Sequence, residues 1–433
     1  MSHILVAAFA LGWSFTVELP GVGKLYAAEL ISGLTFLFMR PLRLFDRYPI
    51  LLKVIAAYVV IIVSLTISDF YNATPFNDAV RGAANVLFAI ASLIFLVGIF
   101  DKGPSAVFTL LLVFFISKLL FGEAQYADTF SDLEFSLSSV EVNRNYFKVR
   151  YVPFITPLAM LAGCFVAIFS RQLCGVLFIS VAMVYFYFDA RAAGLVFAVA
   201  AMAVTVKFRP SYRKTLAAIV VSLPILYGAY VIYVNYALDN LSAGNMAMQM
   251  EQMNNPYNPF ELLLIGRSEW RIFGTAVADS PVFGFGSWAR DPDGKYYLLR
   301  LQNANLGAEK VILNGLIPVH SVLGAAWIWA GLLGFLAAVY LARVLLQPIR
   351  VLPMLTSPLL PAALVLTAGL GWDYFFSPFQ AIRLSFPQAI AVLIVLTAPY
   401  LNRPQNMRTR PRHVGALALP FRISQVRLPT RKT

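Results

Sequence analysis

The sequence predicts an all-α protein, a polytopic transmembrane helical bundle of about twelve spans with one large, partly helical loop. Three observations lead to this fold class. Hydrophobic residues make up 59% of the 433-residue chain, whereas charged residues make up only 13%. Apolar runs of about 20 residues recur, which is the length that crosses a bilayer as a helix. One long polar stretch, residues 235–318, interrupts these runs.

The apolar windows follow one another from the N-terminus to residue 401. The predicted spans are 4–19, 25–39, 50–67, 80–100, 104–121, 151–169, 173–189, 191–206, 215–234, 319–342, 351–371 and 384–401. The first two runs are short, which indicates tilted, paired or re-entrant segments. The predicted domains are an N-terminal transmembrane bundle (1–234), the large loop (235–318), C-terminal spans (319–401) and a basic tail (402–433).

The distribution of charge predicts the orientation of the spans. The tail, residues 402–433, contains eight basic residues and no acidic residue. Loops rich in lysine and arginine remain on the cytoplasmic side. Both termini are therefore expected in the cytoplasm, and loops 122–150 and 235–318 on the outer side. The net charge of +13 is then explained by attraction of the tail to anionic lipids, and we predict no nucleic-acid partner.

The two cysteines, Cys164 and Cys174, lie in or beside apolar spans. Their spacing fits neither a disulfide framework nor a zinc site. The sequence accordingly predicts no disulfide and no cysteine-based metal site.

Three residues that are far apart in the chain are all predicted to lie on the outer side. Arg191 stands at the outer end of a span, Arg267 lies in the large loop, and His320 begins the next span. A guanidinium donates two parallel hydrogen bonds to a phosphate group. An imidazole accepts and returns protons near neutral pH. Together these groups suit transfer of a group from a lipid pyrophosphate to a hydroxyl.

Each of the three residues also has an ordinary structural interpretation. Arg191 can pair with Asp189, and His320 can simply start a helix. Arg267 can pair with an acidic side chain of its own loop; the candidates are Glu261, Glu269 and Asp279. Glu29, in the middle of a predicted span, requires a cationic partner such as Lys24 or a residue of a neighbouring helix.

The motifs around these residues resemble the O-antigen ligase and O-antigen (exopolysaccharide) polymerase superfamily of bacterial membrane proteins. The matching segments are ARAAGLV at 190–196, GRSEW at 266–270, ADSPVFGFG at 278–286 and HSVLGAAWIWAGLLG at 320–334. Ala190 stands where the family often has Ser, and Ser321 stands where it often has Asn. No single motif is specific. The resemblance rests on the order of the motifs along the chain and on their predicted location on the same side of the membrane.

The resemblance implies a cofactor-free, metal-independent glycosyltransferase of the bacterial inner membrane with its large loop in the periplasm. Arg191 and Arg267 would hold the pyrophosphate of an undecaprenyl-pyrophosphate-linked glycan, and His320 would activate a hydroxyl acceptor. Arg271, Glu269 and Ser321 are secondary candidates. The acceptor would be another lipid-linked repeat, as in a polymerase, or lipid A–core, as in a ligase. Partners would include membrane lipids and polysaccharide assembly machinery.

Two other functions remain open from the sequence. A flippase or transporter of lipid-linked oligosaccharides would have a similar number of spans. Transporters, however, usually place charged residues near the membrane midplane and contain repeated halves. Here intramembrane charge is scarce and concentrated in Glu29, and no internal repeat is evident. The second alternative is a non-catalytic component of a polysaccharide export system.

Overall fold

A computed structural model describes residues 1–19, 23–36, 41–103, 105–130, 146–205, 224, 227–228, 230–239, 250, 253, 255–261, 269–303 and 315–401. Within these ranges the regular structure is helical apart from one short hairpin. The predicted helical class is therefore confirmed. The basic tail, 402–433, lies outside the described residues.

Fifteen helices are labelled in chain order within the described residues. They are α1 (Ser2–Gly12), α2 (Ala27–Phe36), α3 (Pro41–Arg47), α4 (Pro49–Tyr71), α5 (Phe76–Lys102), α6 (Ala106–Phe130), α7 (Val152–Phe169), α8 (Arg171–Tyr187), α9 (Arg191–Thr205), α10 (Glu269–Asp279), α11 (Lys295–Asn303), α12 (Val322–Val351), α13 (Leu360–Phe376), α14 (Ala381–Leu384) and α15 (Phe386–Leu401). A π-helical turn, Phe147–Tyr151, leads into α7, and a 3₁₀ turn, Leu352–Met354, follows α12.

Four helical segments are long and apolar enough to cross a membrane. They are Pro49–Tyr71, Phe76–Lys102, Phe147–Phe169 and Val322–Met354. The shortest contains 23 residues. At 1.5 Å per residue this corresponds to roughly 34 Å, slightly more than the hydrocarbon core of about 30 Å. Seven shorter apolar helices accompany them in the described ranges.

The first two predicted spans, 4–19 and 25–39, differ from the helices observed. Helix α1 has 11 residues and α2 has 10, so each is roughly 15 Å long, half the hydrocarbon core. An antiparallel hairpin of β1 (Thr16–Leu19) and β2 (Gly23–Tyr26) joins them. Gly12 allows the helices to approach closely, because a Cβ there would lie 2.5 Å from the backbone nitrogen of Ala28. Neither helix is long enough to cross a membrane by itself.

Helices from the two ends of the chain pack into one bundle. Helix α12 lies against α4, α15 against α5, and α13 against α7 and α9. Their buried side chains form a single apolar core. On the outside, Phe165, Phe169, Val176 and Met183 of α7 and α8 are 63–69% exposed. Such an apolar outer surface suits contact with lipid hydrocarbon.

Glu29 is fully buried in α2 and pairs with a residue of a neighbouring helix. Both carboxylate oxygens accept hydrogen bonds from the Arg383 guanidinium of α14. The Tyr26 N–H donates to the same carboxylate at 2.9 Å. The side chain of Lys24, the other predicted partner, contacts Glu18 at 3.4 Å instead. The bidentate pair therefore joins the short N-terminal helices to the C-terminal ones.

Candidate functional site

A turn of the large loop, residues 280–287, inserts into a break in helix α12. At Gly331 the backbone leaves helical geometry, with φ 69° and ψ −165°. Such a break removes partners from the carbonyls that precede it. Two N–H groups of the turn donate to such carbonyls, Phe285 N–H to Ile328 O at 2.7 Å and Gly286 N–H to Trp329 O at 3.1 Å. In return the Leu332 N–H of the helix donates to Val282 O of the turn at 3.0 Å. The loop and the helix break therefore complete each other.

Glycine is required on both sides of this contact. A Cβ on Gly331 would lie 2.1 Å from the carbonyl oxygen of Val282, and a Cβ on Gly284 would lie 2.6 Å from that of Ile328. Both glycines also have positive φ values, 69° and 71°, which other L-residues rarely adopt. Gly284 of the FGFG segment and Gly331 of the WAGLLG segment thus allow the backbone of the loop turn to touch the backbone of α12.

The same turn is fixed to the end of α4. Asp69, which is buried, accepts hydrogen bonds from the N–H of Ser287 at 2.5 Å and from its hydroxyl at 2.8 Å. Further along, the Arg290 guanidinium donates to the Asp78 carboxylate from Nε at 2.9 Å. The large loop therefore lies at the end of the bundle where α4 leads into α5.

His320 lines a pocket between the large loop and the start of α12. The pocket is small and is lined by Glu269, Trp270, Phe273, Val319, His320, Ser321 and Gly324. His320 is exposed, whereas Ser321 and Glu269 are buried. Three of the predicted site residues thus meet in one pocket, and they come from segments about fifty positions apart in the chain.

Ser321 has a clear structural role in this pocket. Its hydroxyl accepts a hydrogen bond from the Gly324 N–H at 3.1 Å, which makes it the N-cap of α12. A side-chain cap satisfies one of the N–H groups that the first turn of a helix leaves open. His320 therefore precedes the helix directly and is held at its N-terminal end.

Aromatic rings form one wall of the pocket. Trp270 lies 5.7 Å from Phe273 and 6.4 Å from Phe376 of α13, measured between ring centroids. Phe273 in turn lies 6.1 Å from Trp327 of α12. The rings meet edge to face, an arrangement that aromatic pairs prefer. They anchor α10, and with it Glu269, against α12 and α13.

Arg191 lies in a different cluster. Its Nε donates to Asp189 Oδ1 at 2.7 Å, and Lys148 Nζ donates to Asp189 Oδ2 at 2.9 Å. Burial alone would raise the pKa of the Asp189 carboxyl, but Arg191 and Lys148 together hold that pKa below its ordinary value. The pairing of Arg191 with Asp189, one of the sequence-based alternatives, is thus present. The sequence analysis did not single out Lys148, which only the fold brings to Asp189.

The structure does not bring all the predicted site residues together. Arg267 lies outside the described residues, and of Arg271 only its place in α10 is described. Among the described residues, no hydrogen bond, ion pair or shared pocket connects Arg191 with His320. Helix α13 nevertheless packs against both α9, which begins at Arg191, and α12.

Asp279, a possible partner of Arg267 in the sequence, forms contacts with the start of α11. Its Oδ2 accepts hydrogen bonds from Lys295 Nζ and from the Tyr296 hydroxyl, both at 2.5 Å. The Lys295 ammonium and the Tyr296 hydroxyl lower the pKa of the Asp279 carboxyl. The two helices of the large loop are therefore linked by a charge-assisted hydrogen bond.

Metal ligands do not gather in the part of the chain that the structure describes: no group of three or more His, Cys, Asp or Glu side chains is positioned to hold an ion. Compared with known proteins, the chain matches no family model and no curated sequence.

Proposed function

We propose that this protein is a membrane glycosyltransferase that uses a lipid-diphosphate-linked glycan as donor and resembles the O-antigen ligases and exopolysaccharide polymerases. The pocket that contains His320 is the observation that carries the proposal. It joins an exposed imidazole, a buried carboxylate and an aromatic wall at the end of the bundle that the large loop covers. A pocket with a few convergent polar groups on largely apolar walls is a typical ligand site.

The proposed reaction needs one base and one leaving group. The acceptor hydroxyl attacks the anomeric carbon of the donor sugar, and its proton passes to a ring nitrogen of His320. The bond between the anomeric carbon and the phosphate oxygen breaks, and the lipid diphosphate leaves with the electron pair. Glu269 stabilises the imidazolium formed in this step, and the imidazolium then returns its proton to water.

Cationic side chains have a separate task in this proposal. Arg191 and Arg267 bind the diphosphate and stabilise the charge that develops on it as the glycosidic bond breaks. Arg271 is a secondary candidate for the same task. The contact of Arg191 with Asp189 supports this role, because it fixes the orientation of the guanidinium at the start of α9.

The finer topology also belongs to the proposal. We propose about twelve spans, cytoplasmic termini, and a large periplasmic loop in a bacterial inner membrane. The four long and the shorter apolar helices of the described ranges support a bundle with many spans, in which the short helices α1 and α2 enter the membrane as paired or re-entrant segments. The acceptor is a hydroxyl of another lipid-linked repeat or of lipid A–core, and we favour the repeat unit of an exopolysaccharide or O-antigen polymerase.

The decisive variant is His320→Ala. We expect it to reduce polymer formation by at least about 100-fold, since general bases contribute 10²–10⁴-fold to rates. The measurement is envelope polysaccharide, resolved by gel electrophoresis, in a strain whose only copy of the gene carries the change.

His3→Ala is the matched control for this experiment. The His3 side chain contacts the Thr109 hydroxyl at 2.7 Å and does not line the pocket, so its loss should leave polymer formation intact. Equal amounts of both variants in the membrane fraction would establish that they insert. Undiminished polymer in the His320→Ala strain would contradict the proposed reaction.

A further inference from the structure

Two cationic side chains meet at one buried carboxylate at the junction of α8 and α9. Lys148 Nζ and Arg191 Nε contact opposite oxygens of Asp189, at 2.9 Å and 2.7 Å. The Asp189 side chain is only 6% exposed, whereas Lys148 and Arg191 are 34% and 31% exposed. The carboxylate therefore lies beneath two cationic groups that reach the surface side by side.

The backbone holds Asp189 in a conformation that usually selects glycine. Its φ is 59°, in the left-handed region. The Asp189 N–H donates to Phe186 O at 3.0 Å, and the Ala190 N–H donates to Tyr185 O at 2.8 Å. These two bonds form a Schellman motif at the end of α8, in which glycine is the most favourable residue at this position. Backbone geometry alone does not explain an aspartate here, so its carboxylate has another role.

The backbone and a neighbouring aromatic ring also fix the position of Lys148 next to Asp189. It belongs to the π-helical turn Phe147–Tyr151, a rare backbone feature that occurs frequently at functional sites. The neighbouring Phe147 ring stacks on Phe188, next to Asp189, with the ring centroids 4.1 Å apart. Two unusual backbone segments thus meet and bring Lys148 and Arg191 to one point.

A purely stabilising role does not account for this arrangement. Partly exposed ion pairs contribute only about 0–1 kcal/mol each, so the two contacts, one to each carboxylate oxygen, add little to the stability of the fold. A guanidinium and an ammonium together suit an anion with several oxygens, because one donates in a planar fork and the other acts as a compact charge. The chemistry of the cluster is therefore that of a phosphate-binding site.

We infer that Lys148 binds the diphosphate of the donor together with Arg191, and that Asp189 is a positioning residue for both cations. This inference rests on the proposed function, which it extends by a third cationic residue. Phosphate groups at this place have two sources, a lipid-linked diphosphate and the headgroup of an anionic phospholipid. The inference assigns the site to the diphosphate.

The test measures binding of inorganic pyrophosphate to the purified full-length protein in phosphatidylcholine nanodiscs by isothermal titration calorimetry. We expect Lys148→Gln to weaken binding about tenfold or more, because a charge-assisted contact is lost. Lys148→Arg should stay close to the wild type, since it keeps the charge. The matched control is Lys24→Gln, which also removes an ammonium from an exposed ion pair and should leave binding unchanged.

Two results of this titration would overturn the inference. One is unchanged affinity in Lys148→Gln, and the other is the absence of pyrophosphate binding by the wild type.

A second arm of the experiment uses nanodiscs that contain phosphatidylglycerol. If this lipid suppresses pyrophosphate binding in the wild type but not in Lys148→Gln, Lys148 serves phospholipid headgroups and the diphosphate assignment fails. Equal affinity in both kinds of nanodisc supports the diphosphate.

The outcome is separable from that of the proposed function. His320→Ala should bind pyrophosphate as the wild type does, because His320 does not touch the Asp189 cluster. Normal polymer formation by His320→Ala would refute the transfer mechanism and leave the pyrophosphate measurement standing. Loss of polymer in His320→Ala, combined with unchanged binding by Lys148→Gln, would refute only the role of Lys148.

Discussion

Asp189 illustrates how a single residue combines a backbone cost with a side-chain role. Left-handed geometry costs an ordinary L-residue roughly 1–2 kcal/mol, and aspartate somewhat less. The carboxylate regains part of that cost through its contacts with Lys148 and Arg191. The residue therefore does not stabilise the local structure on balance, and its carboxylate orients the two cationic side chains.

This balance predicts an order of stability for substitutions at Asp189. Asp189→Gly loses the ion pairs but relieves the backbone, whereas Asp189→Ala loses the pairs and keeps the strain. We expect the alanine variant to be less stable than the glycine variant by about 1 kcal/mol. The measurement is the apparent Tm of the two purified variants in detergent. An alanine variant that melts at or above the Tm of the glycine variant would show that the turn is not strained.

At the scale of elements, helix α12 and the large loop depend on each other. The break at Gly331 would leave carbonyls of a mostly buried helix without partners, and the turn 280–287 supplies them. The half of α12 before the break begins at Ser321, directly after His320. The docked turn consequently fixes the first half of α12 relative to the large loop.

Gly331→Ala tests this dependence. The added Cβ would meet the Val282 carbonyl at 2.1 Å, so the turn cannot remain docked, and we expect at least about tenfold less polymer together with faster proteolysis of the loop. The control is Gly369→Ala in α13, where an added Cβ has no atom within 4 Å and alanine favours the helix. Wild-type activity and proteolysis rate in Gly331→Ala would show that the contact is dispensable.

At the scale of the whole molecule, the bundle is closed by contacts between the two ends of the chain. Arg383 pairs with the buried Glu29, and α12 packs along α4. The large loop meets the α4–α5 junction through Asp69 and Asp78. This end of the bundle therefore contains the junction, the loop and the His320 pocket together.

These contacts predict that the α4–α5 junction and the large loop lie on the same side of the membrane. Alkaline phosphatase, active only in the periplasm, can be fused after residue 73 or after residue 290, and we expect both fusions to be active. A fusion after residue 47, in a predicted cytoplasmic loop with several arginines, should be inactive. Activities that differ between the first two fusions would contradict the contact of Asp69 with Ser287.

Some parts of this picture were predictable from local sequence. The apolar runs predicted the helical class, and the pairing of Arg191 with Asp189, two residues close in the chain, was one of the predicted alternatives. The first span, 4–19, was predicted too long, because apolar residues continue past the end of α1 at Gly12 into the strand Thr16–Leu19. Periodicity alone does not reveal where a short helix ends in such a stretch.

The sequence by itself determined that the chain is helical and suited to a membrane, because hydrophobicity and helical period are properties of neighbouring residues. Only the tertiary structure decided that Gly331 interrupts α12, that the loop turn fills the interruption, and that Lys148 joins Arg191 at Asp189. The reason is physical. A close approach between backbones, or a charge pair across helices, depends on the relative position of segments that local preferences leave undetermined.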